Sequence, residues 1–189
     1  GGLEKSTRGR GVTVIFGDGA GAAVVSRCNE KDKGILSSHL HSEGKHAREL
    51  MLDGPNTGRW VPEIIAENDP NDESYYPYMN GQFVFKNAVT RFSEVINEGL
   101  DANDLKKEDI DMLIPHQANL RIAQFIQKKF QLSDDKVYNN IMSYGNTTAA
   151  SIIIALTEAW EKGKIKENDL VVLAAFGAGF TWGSVLIRW

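Results

Sequence analysis

A histidine and an asparagine, each followed by an apolar segment with helical spacing, are the residues of this chain best suited to chemistry. His116 stands within residues 114–122, Ile-Pro-His-Gln-Ala-Asn-Leu-Arg-Ile, and Asn146 lies within residues 144–151, Tyr-Gly-Asn-Thr-Thr-Ala-Ala-Ser. A neutral imidazole and a carboxamide both donate hydrogen bonds, and two donors aimed at one carbonyl oxygen stabilise an oxyanion or an enolate. The alternative is that both residues only cap helices or satisfy polar groups in the core.

His116 is predicted to connect a buried strand to a helix. The apolar run Asp111 to Ile114 predicts the strand, and the periodicity from Gln117 to Phe130 predicts the helix. An open α/β sheet binds ligands at this end of its strands. The positive end of a helix disfavours a cationic imidazole, so His116 is expected to stay neutral near pH 7. The residues predicted to face the core are Ile122, Phe125, Ile126 and Phe130.

Asn146 is predicted to precede a helix in the same way. This helix should run from Thr147 to Glu161 and end at Gly163. Gly145 before the asparagine allows close approach of a substrate. If both helices begin as predicted, the two donors lie at corresponding positions of successive strand-helix units.

Period and composition predict the remaining elements. Helical spacing gives one apolar stripe between Gln82 and Leu100, formed by Phe85, Ala88, Val89, Phe92, Val95, Ile96 and Leu100. Strands are predicted at Gly11 to Phe16, Ala22 to Ser26, Gly34 to His41, Leu170 to Ala175 and Gly183 to Trp189. The first two should form a hairpin, and residues 53–80, rich in Pro, Asn, Asp and Tyr, should form a long surface excursion. Helices alternating with short apolar strands predict an α/β fold.

Two further motifs have competing interpretations. Gly17 to Ala22 fits a dinucleotide-binding pattern, but that pattern must open a helix, and here it leads into Val24 and Val25. A tight turn between strands is therefore favoured. His39 and His41, with His46 nearby, could hold a metal. No cysteine or clear carboxylate cluster completes such a site in the sequence, which favours partly exposed histidines.

The two candidate segments and the ending Ala-Phe-Gly-Ala-Gly-Phe-Thr-Trp-Gly, residues 175–183, resemble 3-oxoacyl-[acyl-carrier-protein] synthase III, the condensing-enzyme family that starts bacterial fatty-acid synthesis. The resemblance runs from about Arg10 to Trp189 and matches the later half of such an enzyme. It implies a thiolase-like α/β fold with a mixed sheet covered by helices. Residues 1–30 would be the final hairpin of the first repeat, and residues 31–189 the C-terminal domain.

The resemblance also implies a role for each site residue. His116 and Asn146 would bind the thioester carbonyl of malonyl-carrier protein and stabilise the enolate left when carbon dioxide departs. The backbone N–H of Ala178 would donate to the oxyanion of the tetrahedral intermediate, provided that its φ is negative. Phe176 would lie against the malonyl carboxylate and favour its loss. The alternative for Phe176 is ordinary packing at the end of a strand.

The family's nucleophile is a cysteine in the earlier half of the enzyme. The only cysteine here is Cys28, at the polar end of a predicted strand and beside a run of charges, and we interpret it as a structural or surface residue. The chain would thus carry the histidine and asparagine of a Cys-His-Asn triad without the cysteine. Gly1 would be an internal start.

The resemblance further implies coenzyme A and acyl carrier protein thioesters as substrates, with no resident cofactor and no metal. An acidic carrier protein would dock on Arg121, Lys86, Lys128 and Lys129. By spacing alone, these residues indicate only a solvated helix face. The coenzyme A arm would contact Arg10, Gly81, Phe85 and Asn119. The implied protein partners are the missing N-terminal half and a second copy in a homodimer.

Composition is consistent with this class of protein. The 189 residues are 42% hydrophobic and 24% charged, with a formal net charge of −4 at pH 7, as expected for a globular piece with one core. No run of about 18 apolar residues exists for a membrane span. Mild acidity argues against general nucleic-acid binding. A single cysteine excludes an internal disulfide and is compatible with a reducing cytoplasm.

The sequence therefore predicts part of a decarboxylating condensing enzyme that makes 3-oxoacyl-carrier protein from acyl-coenzyme A and malonyl-carrier protein. One alternative is a related acyltransferase that primes polyketides or other secondary metabolites. Another is a non-catalytic module that binds carrier protein or coenzyme A without turnover. Acyl-chain preference should depend largely on the earlier half of the enzyme.

Overall fold

A four-stranded mixed sheet forms the centre of the computed structural model, which describes residues 12–54 and 77–189. Its strands are β1 (Gly34–Ser42), β4 (Met112–Pro115), β5 (Leu170–Gly177) and β6 (Thr181–Arg188), in the order β1-β6-β5-β4. β4 and β5 are parallel, whereas β6 is antiparallel to both β5 and β1. The short strands β2 (Leu50–Met51) and β3 (Tyr78–Met79) pair with each other.

Helices cover both faces of this sheet. They are α1 (Gly81–Asp101), α2 (Leu120–Phe130), α3 (Ile141–Tyr144) and α4 (Ala150–Glu161). The larger core cluster joins α1 and α2 to one face of the sheet through residues such as Phe92, Ile126 and Val172. The second cluster joins α4 to the opposite face through Ala155 and Ala159. The predicted α/β architecture, a mixed sheet covered by helices, is confirmed.

Four predicted strands and one predicted helix are confirmed to within two residues at each end. β4 is buried at every position and β5 at most, because helices cover both faces of the sheet. α1 begins after Asn80, whose side chain accepts a hydrogen bond from the Phe83 N–H at 3.4 Å. Phe92, Val95 and Ile96 of its predicted stripe are at most 1% exposed. Within the predicted excursion, residues 55–76 lie outside the described residues.

Two helices begin three residues later than predicted. α2 starts at Leu120, because Asn119 is its N-cap and accepts the Arg121 N–H at 2.9 Å. α4 starts at Ala150, because Thr148 has a left-handed φ of 51° that a helix does not accommodate. The two candidate donors consequently lie four residues before their helices rather than at the first turn.

Phe125 is a second correction on α2. It was predicted to face the core, but it is 44% exposed, whereas Ile126 is fully buried. Its ring makes an edge contact with Phe85 of α1, with centroids 6.4 Å apart. The two rings therefore form an apolar contact at the surface between the two helices.

The hairpin predicted from Gly11 to Ser26 is wrong over the residues that the structure describes. Thr13–Ile15 forms a 3-10 turn, Phe16 makes a single parallel bridge to Asn146, and residues 17–29 contain no strand. Val24 is 98% exposed. A two-stranded hairpin is marginal unless further strands or a helix cover its apolar face, and the described residues leave Val24 uncovered. The assignment of residues 1–30 to a separate repeat stays a prediction.

The glycine-rich residues 17–21 pass close to α3 and α4 instead of turning between strands. A Cβ on Gly17 would clash with the carbonyl oxygen of Tyr144, and one on Gly21 would lie 2.8 Å from Cβ of Ile153. Glycine permits this close approach because it has no side chain. Since no helix follows within residues 17–29, the dinucleotide-binding alternative has no support.

Candidate active site

His116 lies directly after β4 and is fixed by the neighbouring strand and by α4. Its backbone N–H donates to the Ala174 carbonyl at 2.8 Å, which continues the pairing of β4 with β5. In the ring, Nδ1 lies 2.6 Å from Oγ of Ser151. Nε2 has no hydrogen-bond partner among the residues described. The imidazole therefore has one anchored nitrogen and one nitrogen available to a ligand.

Asn146 is held in a turn that leaves its amide nitrogen unused. Its Oδ1 accepts the Thr148 N–H at 2.8 Å. The Asn146 backbone N–H donates to Ile15 at 2.9 Å, and its carbonyl accepts the Gly17 N–H at 3.0 Å. The residue is 9% exposed, and within the described part of the chain Nδ2 donates to no acceptor. Nδ2 is thus available as a second donor.

Gln117 connects the two loops that carry these donors, and sequence reasoning did not assign it a role. It is 3% exposed, and its Nε2 donates to the carbonyls of Pro115 at 2.7 Å and Tyr138 at 3.3 Å. Its Oε1 accepts the backbone N–H groups of Asn140 at 3.0 Å and Ile141 at 3.2 Å. The amide thereby ties the end of β4 to the segment that leads through α3 to the candidate asparagine. A glutamine immediately after a candidate histidine, at the end of an apolar strand, was the available signal.

Burial keeps the His116 imidazole neutral. It lowers the pKa of His116 from 6.5 to about 4. The predicted neutrality had a different physical cause, the positive end of a helix, but α2 begins four residues after His116. A neutral ring in this position can donate a hydrogen bond from one nitrogen.

We predict that His116 stays neutral from pH 8 to pH 5 and protonates only near pH 4. Because the folded pKa lies below the unfolded value, the neutral ring's contribution to stability is complete above about pH 6.5 and is lost as pH falls toward 4. The measurement is a titration of the ¹⁵N imidazole signals, with the His116 signals assigned by their loss in His116→Gln. Protonation of His116 between pH 6 and 7 would contradict the burial argument.

Phe176 lies near the end of β5, and Ala178 lies in the turn between β5 and β6. Ala178 is exposed in the β5–β6 turn and is not among the described residues with positive φ, as its predicted backbone role requires. Phe176 is 5% exposed and packs on Phe180 with centroids 4.8 Å apart, in the core cluster of α1 and α2. His116 bonds to α4 on the opposite face of the sheet. This geometry favours the packing alternative for Phe176.

Of the residues predicted to bind coenzyme A, the structure describes Gly81, Phe85 and Asn119. Arg10 lies outside the described residues. Gly81 is the exposed first residue of α1, and Phe85 is half-buried on the same helix. Asn119 is exposed, and its Oδ1 is engaged in capping α2. The Asn119 oxygen is thus used within the chain, and the coenzyme A roles stay predictions.

The predicted docking residues lie on two adjacent helices. Lys86 belongs to α1, and Arg121, Lys128 and Lys129 belong to α2; all four are exposed. Over residues 12–54 and 77–189, none of the four forms an ion pair. The contact between Phe85 and Phe125 brings α1 and α2 together beside them. The surface consequently combines four exposed cations with a partly exposed aromatic pair.

In the structure, a carboxylate lies beside His39 and His41. His39 Nδ1 lies 3.4 Å and His41 Nε2 lies 2.6 Å from the two carboxylate oxygens of Glu98 on α1. Even so, no group of three His, Cys, Asp or Glu side chains suited to a metal ion occurs among the described residues. Cys28 is exposed, with its Sγ 3.9 Å from the Glu30 carbonyl oxygen. None of the described helices is long and apolar enough to cross a membrane.

Comparison with known proteins gives consistent matches. The family profile 3-oxoacyl-[acyl-carrier-protein (ACP)] synthase III C terminal matches residues 100–189, and the profile 3-oxoacyl-[acyl-carrier-protein (ACP)] synthase III matches residues 4–44. The beta-ketoacyl-[acyl-carrier-protein] synthase III of Salmonella typhimurium is 48% identical over 179 residues, 95% of this chain and 52% of that protein. The corresponding protein of Blochmanniella pennsylvanica is 46% identical over 181 residues, 96% of this chain and 53% of that protein.

A solved structure agrees with these sequences. The crystal structure of 3-oxoacyl-[acyl-carrier-protein] synthase III from Aquifex aeolicus superposes with a TM-score of 0.82 at 40% identity, over 95% of this chain and 52% of that chain. The sheet, its covering helices and this similarity define a thiolase-like condensing-enzyme fold. The chain belongs to the 3-oxoacyl-[acyl-carrier-protein] synthase III family. It spans about half the length of the curated relatives that it matches.

Proposed function

We propose that this chain supplies the decarboxylating half of the active site of a 3-oxoacyl-[acyl-carrier-protein] synthase III. The complete enzyme would condense the acyl group of acyl-coenzyme A with malonyl-carrier protein to give 3-oxoacyl-carrier protein. One observation carries the proposal: His116 Nε2 and Asn146 Nδ2 are nitrogens that can donate a hydrogen bond and have no partner among the described residues, and Gln117 ties the His116 segment to the segment that leads through α3 to Asn146. The relatives that are 48% identical bear the name of this activity.

The reaction begins with the malonyl group. The bond to the carboxylate carbon breaks, carbon dioxide leaves, and the electron pair passes to the thioester oxygen to form an enolate. Hydrogen bonds from His116 and Asn146 are stronger to this oxygen as it becomes negative, which lowers the barrier. The neutral pair adds no positive charge that would hold the departing carboxylate.

Condensation follows when the enolate carbon attacks the acyl carbon of a cysteine thioester. The carbonyl oxygen of that thioester becomes an oxyanion, to which the backbone N–H of Ala178 would donate. Collapse of this intermediate expels the cysteine thiolate and leaves the 3-oxoacyl product on carrier protein. The nucleophilic cysteine would come from the other half of the complete enzyme.

An acidic carrier protein would dock on the four exposed cations of α1 and α2. Their charges have no ion-pair partners in the described part of the chain, so binding an acidic surface breaks no salt bridge among those residues. Such contacts chiefly raise the association rate and depend on salt. A homodimer in the cytoplasm is part of the same proposal.

The test is product formation by the complete polypeptide. It should convert acyl-coenzyme A and malonyl-carrier protein to 3-oxoacyl-carrier protein, as detected by mass spectrometry. The polyketide-priming alternative predicts the same condensation with a different preferred primer, which a panel of acyl-coenzyme A chain lengths separates. The binding-module alternative predicts carrier-protein binding with no product, and that result would contradict the proposal.

We predict that the chain of residues 1–189 does not form an acyl-enzyme. Cys28 is exposed, and its only hydrogen bond among the described residues is to the nearby Glu30 carbonyl, with no basic partner to stabilise a thiolate. Intact mass measurement after incubation with acyl-coenzyme A should show the unmodified chain, and Cys28→Ser serves as the matched control. A stoichiometric adduct that disappears in Cys28→Ser would contradict the assignment.

We also predict that the isolated chain self-associates. β5 does not contribute to an exposed apolar surface, because helices cover it on both faces. The most exposed large apolar side chains among the described residues are Val14, Val24, Val25 and Leu40, with exposures of 74%, 98%, 76% and 80%. Soluble monomers rarely leave extended apolar patches uncovered. Sedimentation at micromolar concentration should show dimers or larger species, and a folded, strictly monomeric chain would show that these residues need no cover.

A further inference from the structure

Ser151 on α4 is a buried hydroxyl that touches the candidate histidine and that the proposed reaction does not otherwise use. It is 1% exposed. Its Oγ lies 2.6 Å from Nδ1 of His116 and 3.3 Å from the backbone nitrogen of Gln117. Two neighbours of different chemistry therefore share one hydroxyl group.

Counting protons assigns a direction to each of these hydrogen bonds. The Gln117 N–H can only donate, so Oγ accepts there. The hydroxyl has a single proton, and among the described residues its acceptor is Nδ1 of His116. A neutral imidazole that accepts at Nδ1 carries its proton on Nε2. The opposite tautomer would place two donors on Oγ and leave the hydroxyl proton without an acceptor in the described part of the chain.

We infer that Ser151 is a positioning residue that holds His116 as the Nε2–H tautomer, so that Nε2 donates to the thioester oxygen of the second substrate. This inference rests on the proposed function for the identity of the acceptor, but not for the tautomer itself. The tautomer matters because only the Nε2–H form donates from the unpartnered nitrogen. With the proton on Nδ1, Nε2 would present a lone pair to the developing enolate and repel it.

Backbone contacts make this arrangement rigid. The His116 N–H is bonded to Ala174, and the Ser151 N–H donates to the Thr148 carbonyl at 3.2 Å. Gln117, which donates to Ser151 Oγ, is itself held at both ends of its side chain. The ring, the hydroxyl and the backbone donor consequently have little freedom to exchange roles.

The direct test is ¹⁵N NMR of the complete protein labelled at histidine, because couplings from the ring nitrogens distinguish the two tautomers. The His116 signals are identified by their loss in His116→Gln. We expect the Nε2–H tautomer in the unmodified protein and a mixture of tautomers in Ser151→Ala. A dominant Nδ1–H tautomer in the unmodified protein would overturn the inference. This outcome is observed on the unmodified protein, whether or not Ser151→Ala folds.

Kinetics supply a second readout. Ser151→Ala should slow release of carbon dioxide from malonyl-carrier protein by about 10-fold or more, because losing the group that orients a histidine has effects of this order. Acyl loading from acyl-coenzyme A should be unchanged. Ser93→Ala is the matched control, since Ser93 is 1% exposed and donates to the Val89 carbonyl at 2.8 Å in α1. Equal tautomer populations and equal rates in Ser151→Ala and the unmodified protein would contradict the inference.

The two readouts separate this inference from the proposed function. If the complete protein releases no carbon dioxide but its His116 carries the proton on Nε2 and loses that preference in Ser151→Ala, the role of Ser151 is supported. The proposed reaction is then contradicted. If turnover is normal and the tautomer is Nδ1–H, the proposed reaction stands and the role of Ser151 does not.

Discussion

Replacing either His116 or Asn146 by alanine in the complete enzyme is expected to slow decarboxylation of malonyl-carrier protein about 100- to 1,000-fold, the usual effect of removing one oxyanion donor. Each side chain presents a donor that no described residue uses, so its loss removes a hydrogen bond made to the developing enolate. Acyl loading of the cysteine should proceed at its normal rate, because the pair acts on the second substrate. Release of labelled carbon dioxide and acyl-enzyme formation measure the two steps separately.

Matched controls distinguish this effect from loss of structure. His46→Ala removes a histidine whose ring packs on Phe83, with centroids 4.9 Å apart. Asn87→Ala removes an amide that donates to the Phe83 carbonyl at 2.9 Å within α1. Neither residue touches the candidate site, so both variants should retain decarboxylation to within a few-fold. Equal loss of loading and decarboxylation in His116→Ala and Asn146→Ala would mean that the roles are wrongly assigned.

Gly145→Ala is expected to damage both stability and decarboxylation. Gly145 has φ 69° and ψ −163°, a conformation that costs other residues about 1 to 3 kcal/mol. A Cβ there would also lie 2.9 Å from the Ile15 carbonyl oxygen and 3.3 Å from the Gly17 nitrogen. These backbone atoms hold Asn146, so the loop must shift to accept the methyl group. A displacement of about 1 Å at a positioning residue can cost about 100-fold in rate.

Gly163→Ala is the matched control for Gly145→Ala. Gly163 also has a positive φ, 65°, but a Cβ there meets nothing within 4 Å. It should cost about 1 to 2 kcal/mol of stability, the usual penalty of the left-handed conformation, and leave decarboxylation intact. Urea unfolding and carbon dioxide release are measured on the same samples. If the two variants lose the same stability and both remain active, the close approach at Gly145 does not position Asn146.

The sequence predicted the sheet and the order of the helices because periodicity carries that information, but it placed both donors at the first turns of helices that begin four residues later. β4, β5 and α1 consist of residues whose burial follows directly from their apolar spacing. The two donors could be located because each follows a short apolar strand or a glycine and precedes an amphipathic helix. The resemblance of the chain to a known family then indicated which reaction the two donors would serve.

The first residues of the helices and the hydrogen-bond network could not be predicted from apolar periodicity. The start of α4 depends on the left-handed Thr148, which the residue type does not indicate. The role of Gln117 depends on four backbone groups that come from separate segments. Ser151 is separated from His116 by α2, α3 and the loops around them, and only folding brings its hydroxyl to the ring.

The predicted hairpin is a case in which local sequence indicated strands that the described residues do not form. Two β-rich runs, residues 11–16 and 22–26, joined by a glycine-rich segment favour a hairpin, but strands form only where partners exist to pair with them. In the described residues the glycines instead allow close contact with α4. Local propensity was therefore overruled by what the surrounding structure provides.

In the proposed reaction, His116 and Asn146 together polarise one thioester carbonyl. Isotope-edited infrared spectroscopy tests it directly, with a ¹³C-labelled thioester of a malonyl analogue that cannot lose carbon dioxide bound to the complete enzyme. We predict a carbonyl stretch at lower frequency than in water for the unmodified protein, with part of the shift lost in each of His116→Ala and Asn146→Ala. A carbonyl frequency that is the same in the unmodified protein and in both variants, at saturating ligand, would contradict it.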